Sequence, residues 1–217
     1  MTDLRLLAAG DSALVLRLGD RIDGGINARA LAVAQDLASR QEPAIRDIVV
    51  GYASVTVYFD PLVIPAAQIE ERLRGAANRQ RLENLQPGKQ VIIPVRYGNQ
   101  EGPDLSEVAA FAGCTEDEVI RRHLARVYRV FMVGFLPGFP YMGVVDERIA
   151  MPRRETPRLA VPAGSVGIAG LQTGVYPVQS PGGWRLVGRT DVALFDAGKI
   201  PPTLVQPGDT VRFVRES

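Results

Sequence analysis

Apolar and polar positions alternate through residues 4–18 around a break at Gly10-Asp11, and Ala13–Arg17 reads as a strand. Asp23 then stands where a helix cap is needed, and Ile26, Ala30, Leu31, Ala34 and Leu37 form one stripe of a helix predicted over 26–40. Glu42-Pro43 ends it. Two β-rich runs, 46–50 and 54–59, flank Gly51-Tyr52-Ala53 and predict a hairpin. Pro65 suits the start of a second helix, with Ile69, Leu73 and Ala76 on its buried face. Strand, helix, two strands and helix make an α+β unit with its helices on one side of a sheet.

The polar run 79–88 reads as a boundary, which divides the chain into residues 1–85 and 86–217. Beyond it, 89–97 is a strand in which Pro94 argues for an edge or a bulge. Asp104 with Glu107, and Thr115 with Glu118, have capping-box spacing, so short helices are predicted over 105–111 and 116–124. Runs at 128–133, 185–188, 192–195 and 210–214 are short strands parted by glycine and proline turns. These predict a mainly β barrel or sandwich carrying two helices.

Residues 134–183 hold nine of the 22 glycines and seven of the 16 prolines. Phe135, Phe139, Tyr141, Tyr176 and Trp184 are interleaved with them, so the stretch is a rigid surface built of loops rather than a disordered linker. The aromatic residues suit either a pocket floor or ordinary core.

Composition narrows the chemistry. With a formal charge of +1 over 217 residues, nothing points to a polyanion partner. A single cysteine, Cys114, forms no internal disulfide and fits a reducing cytoplasm. No signal-peptide pattern or membrane-length apolar run is present, so a cytoplasmic protein is expected. One histidine and one cysteine do not make a metal-ligand set, and a Walker-type nucleotide loop is missing.

His123 closes a helix beside Arg121, Arg122 and Arg126. It reads either as an acid or base or as a helix-end residue facing free carbonyls. Arg153, Arg154, Arg158 and Arg185 suit paired hydrogen bonding to a carboxylate or phosphate, or equally a solvated face. The run 164–170, followed by Gln172-Thr173-Gly174, offers backbone N–H groups for an anion nest, or simply tight turns.

The segments GFLPGFPY (134–141), TPR (156–158), VPAGSVGIAG (161–170), QTG (172–174) and SPGGW (180–184) resemble the signature of the family of 5-oxoprolinase B subunits. That family includes the kinase inhibitor KipI and the allophanate hydrolase subunit 1 type domain, and the resemblance runs along essentially the whole chain. It implies an α+β N-terminal domain followed by a cyclophilin-like barrel. It also implies ATP-dependent opening of 5-oxoproline to L-glutamate, together with subunits C and A. ATP, with Mg, would bind at a site shared with those partners, and the chain alone would be inactive. Carried over by residue, the site comprises His123 and Gln172 as catalytic groups, with Pro140, Ser165 and Thr173 lining it. Arg158 and Arg185 are assigned to substrate binding and no metal is assigned to the chain itself. The other family readings are a KipI-like inhibitor of a sensor histidine kinase and an allophanate hydrolase-type subunit of urea degradation.

Overall fold

The structure is a computed structural model that describes residues 4–79 and 88–216. It divides into two compact units, 1–87 and 88–217. Most of the polar run read as a boundary, residues 80–87, lies outside the described residues.

In the first unit, β1 (Arg5–Ala8), β2 (Ala13–Arg17), β3 (Ile45–Val50) and β4 (Ser54–Phe59) form an antiparallel sheet in the order β1-β2-β4-β3. Val55, Val57 and Phe59 alternate with more exposed neighbours along β4, so one face is buried. Helices α1 (Gly24–Ala38) and α2 (Ala66–Asn78) share a core with it, through Ala30, Val33, Leu37, Ile69 and Leu73. The Asp23 carboxylate accepts from the N–H groups of Gly25 and Ile26, both at 2.9 Å. The helix therefore starts two residues before the predicted onset, because the cap sets its first turn.

The second unit is a closed barrel of seven strands. They are β5 (Gln90–Tyr97), β6 (Val127–Val133), β7 (Pro140–Gly143), β9 (Ser165–Ala169), β10 (Gln172–Val175), β12 (Arg185–Arg189) and β13 (Thr210–Arg215). Around the barrel the order is β10-β7-β6-β13-β5-β12-β9, and β9 pairs with β10 to close it. Strands β8 (Arg158–Val161) and β11 (Ser180–Gly182) form a separate two-stranded ribbon. Helices α3 (Leu105–Ala112) and α4 (Glu116–Leu124) add Leu105, Val108, Val119 and Ile120 to the barrel core. Among the described residues no helix is long and apolar enough to cross a membrane.

One local expectation holds and two change. Pro94 sits in a closed barrel, but β12 meets β5 only at Arg96 and Tyr97, so the side of β5 away from β13 is open at the proline. The glycine run 164–170 is largely strand β9, paired with β10 on one side and β12 on the other. Its backbone donors are engaged in ladders, so it is not an open anion nest. Residues 192–195 form no strand; Phe195 makes one isolated bridge with Thr203.

Candidate active site

Helix α4 starts at Thr115, whose hydroxyl accepts from the N–H of Glu118 at 3.2 Å, as the capping spacing predicts. Glu118 does not complete a capping box. Its carboxylate pairs with Arg121 and Arg122, which hold its pKa down to about 2. Helical periodicity puts Val119, Ile120 and His123 on the buried face. His123 is fully buried, stacked on Phe213 with ring centroids 4.8 Å apart and set 5.2 Å from Tyr128. The Tyr128 hydroxyl donates to the His123 carbonyl at 2.7 Å.

Both imidazole nitrogens are occupied. Nδ1 lies 2.8 Å from the Tyr97 hydroxyl, and Nε2 lies 2.9 Å from Oγ1 of Thr173. Burial holds the His123 pKa down to about 3, so the ring is neutral at physiological pH. Burial also raises the Tyr97 hydroxyl well above its ordinary value, with a further contribution from Tyr128.

Four of the site residues expected from the sequence lie on connected barrel strands. Thr173 pairs with Ile168 of β9 and with Met142 of β7. Pro140 is buried at the start of β7. Ser165 is buried at the start of β9, and its carbonyl accepts from the N–H of Tyr176. Gln172 is half-buried and adjoins Thr173, but alternation along a strand turns it to the opposite face. The fold therefore joins His123 to Thr173 and leaves Gln172 on the other side of the barrel wall.

Arg158 and Arg185 belong to a different cluster. The carboxylate of Asp104, 1% exposed, accepts from Arg158 at 2.9 and 2.6 Å, from Arg154 at 3.2 Å and from the Leu186 N–H at 2.7 Å. Asp104 therefore makes no side-chain cap to α3. Its carboxylate points to the arginines because a buried charge needs a countercharge more than a helix end needs a cap. Arg185 donates to Glu107 and to the carbonyl of Pro152. Both arginines expected to hold substrate are thus already paired within the chain. Nothing in the spacing of Asp104 marks it as a hub; its partners lie 50 or more residues away.

The aromatic residues divide. Phe139 and Tyr176 are core, with centroids 5.1 Å apart, and Tyr141 and Trp184 edge onto Phe139 at 4.8 and 5.3 Å. Phe135 is 63% exposed and adopts a left-handed backbone, φ 68°.

A shallow recess of about 450 Å³ lies outside α4, walled by Arg122, Arg126, Asp146, Glu147 and Arg148. It adjoins the Gln172 side of the barrel, because Gln172 pairs with Gly143 and Val145 donates to the carbonyl of Leu171. Arg122 is already paired with Glu118 and Asp146. Among the described residues no group of three or more His, Cys, Asp or Glu could hold a metal ion.

Residues 4–205 match the family described as carboxyltransferase domain, subdomain C and D. The chain is 41% identical to the 5-oxoprolinase B subunit of Bacillus subtilis (strain 168), over 96% of this chain and 91% of that protein. It belongs to the family of 5-oxoprolinase B subunits. A crystal structure of the protein TTHA0988 superposes with a TM-score of 0.84 at 37% identity, covering 94% of this chain and 40% of that one. This chain thus spans less than half the length of that solved relative. The urea carboxylase of Kluyveromyces lactis superposes with a TM-score of 0.82 at 21% identity, over 99% of this chain and 22% of that enzyme. At that identity the likeness is one of fold.

Proposed function

We propose that this chain is a subunit of an ATP-dependent 5-oxoprolinase, which opens the lactam of 5-oxoproline to L-glutamate with partner subunits corresponding to C and A. The observation that carries the reading is the 41% identity with a protein of that name over nearly the full length of both. In the same reading the barrel is cyclophilin-like, residues 1–85 are an α+β domain whose described part has a core of its own, and the protein is cytoplasmic. The urea-degradation reading rests on shared fold and a distant sequence likeness, and among the described residues no contact favours the kinase-inhibitor reading.

Lactam opening needs the substrate carboxylate held and charge developing on the amide oxygen met by oriented donors. Gln172, half-buried on its strand, is the polar group of this chain proposed to face substrate. His123 lies inside the barrel with both nitrogens engaged, so we assign it a role through Thr173 rather than direct proton transfer. Among the described residues the two arginines expected to hold substrate are engaged. No Walker loop is present, and Arg122, Arg158 and Arg185 are each paired with a carboxylate. ATP and Mg are therefore assigned to a site shared with the partner subunits.

The test is co-expression with the candidate partner subunits, followed by assay of glutamate release from 5-oxoproline. Release that requires ATP and all the subunits is the expected result. An intact complex that leaves 5-oxoproline untouched would overturn the reading.

A further inference from the structure

Tyr97 carries no motif, yet it ends a run of buried hydrogen bonds. From its hydroxyl the run passes 2.8 Å to His123 Nδ1, 2.9 Å from Nε2 to Thr173 Oγ1, and 3.0 Å from Oγ1 to the carbonyl of Gly167. The proton directions follow from the far end. A carbonyl oxygen only accepts, so the one hydroxyl hydrogen of Thr173 goes to Gly167. The Thr173 oxygen then accepts from His123, which places the imidazole hydrogen on Nε2. Nδ1 is bare and accepts from Tyr97. The other tautomer would set the Nε2 lone pair against the Thr173 oxygen or take its hydrogen away from Gly167. Either loses one hydrogen bond of the run.

We propose that Tyr97, His123 and Thr173 form a one-way hydrogen-bond chain that sets the position of β10, and that Tyr97 is a positioning residue for the reaction Gln172 serves. The reaction rests on the 5-oxoprolinase reading; the run of hydrogen bonds does not. It ties β5 and α4 to the hairpin of β9 and β10, which lies some 50 residues further along the chain. Gln172 and Thr173 are neighbours on opposite faces of one strand. Fixing the Thr173 side chain inside the barrel therefore fixes the direction of Gln172 outside it.

The protein has one histidine, so the ring ¹⁵N signals of the labelled full-length chain need no assignment. Expected are a protonated Nε2 and a bare, hydrogen-bonded Nδ1, unchanged between about pH 5 and 8 given the burial of the ring. Tyr97→Phe should keep this tautomer and move the Nδ1 signal downfield. Thr173→Val should transfer the hydrogen to Nδ1, and Thr173→Ser should restore the wild-type pattern. Tyr97→Phe should also speed amide exchange at Gln172 and Thr173 by about tenfold, a local opening of roughly 1.4 kcal/mol, with Leu16 in the other unit unchanged. A wild-type ring protonated on Nδ1, or exchange at β10 unaffected by Tyr97→Phe, would overturn the proposal. In the co-expressed complex, Tyr97→Phe should lower kcat with KM held, and an unchanged kcat would remove the positioning role. A wild-type complex that releases no glutamate would overturn the reaction assigned, while the ring spectra and amide exchange would decide the hydrogen-bond chain independently.

Discussion

Arg158 grips Asp104 through two parallel hydrogen bonds, 2.9 and 2.6 Å long, and so joins the start of β8 to the residue preceding α3. The Asp104 backbone adds to the link, since its N–H donates to the carbonyl of Leu186 while its carboxylate accepts from the Leu186 N–H. The geometry makes a loop of the family signature into a strap across the barrel wall.

Arg158→Met should therefore lower stability by about 3 kcal/mol, the low end for breaking a buried pair, because Arg154 remains beside Asp104. Denaturant unfolding of the isolated chain measures it. A variant as stable as wild type but with a raised KM in the complex would instead mark Arg158 as a substrate ligand.

Acid should weaken the fold through His123. The unfolded chain takes up a proton below about pH 6.5, while the native ring resists it until about pH 3. Its contribution is complete above pH 6.5 and is lost as pH falls, by up to about 1.4 kcal/mol per pH unit. Urea unfolding between about pH 5 and 6.5, above the range of most carboxylates, should show this slope in wild type and not in His123→Gln.

Gly164 has φ 79°, and a Cβ there would lie 2.0 Å from the carbonyl oxygen of Thr190. Backbone must shift to admit any side chain. Gly164→Ala should cost more than about 2 kcal/mol, combining left-handed strain with the clash. Thermal unfolding of the variant checks this, and an unchanged midpoint would show that the β9 entry turn is not held as described.

Phe139 and Phe135 lie four residues apart in one signature segment and should behave differently. Phe139, ringed by Phe135, Tyr141, Tyr176 and Trp184, should lose about 3–5 kcal/mol on substitution by alanine. Phe135, largely exposed, should lose less than about 1 kcal/mol. Equal losses in denaturant melts would contradict the core and surface assignment.

Much of the site's framework was legible in the chain because it is local. The cap at Thr115 and the spacing of Val119, Ile120 and His123 suffice to place the histidine on the buried face of a helix. The same local rules misread Asp104, whose capping spacing yields to two arginines brought up from the β8 side. They also read the run 164–170 as an anion nest or as tight turns, because nothing near it announces ladders to both β10 and β12.

Residue order was enough to place the helices, most of the strands, the family and the set of polar residues from which a site is drawn. Only the folded chain shows that His123 meets Tyr97 and Thr173 and that Arg158 and Arg185 are paired. The physical reason is range. Caps and periodicity act over three or four residues, whereas barrel closure brings β5 alongside β13, pairing Thr210 with Gln90. Which buried donor finds which acceptor is settled only when the strands close.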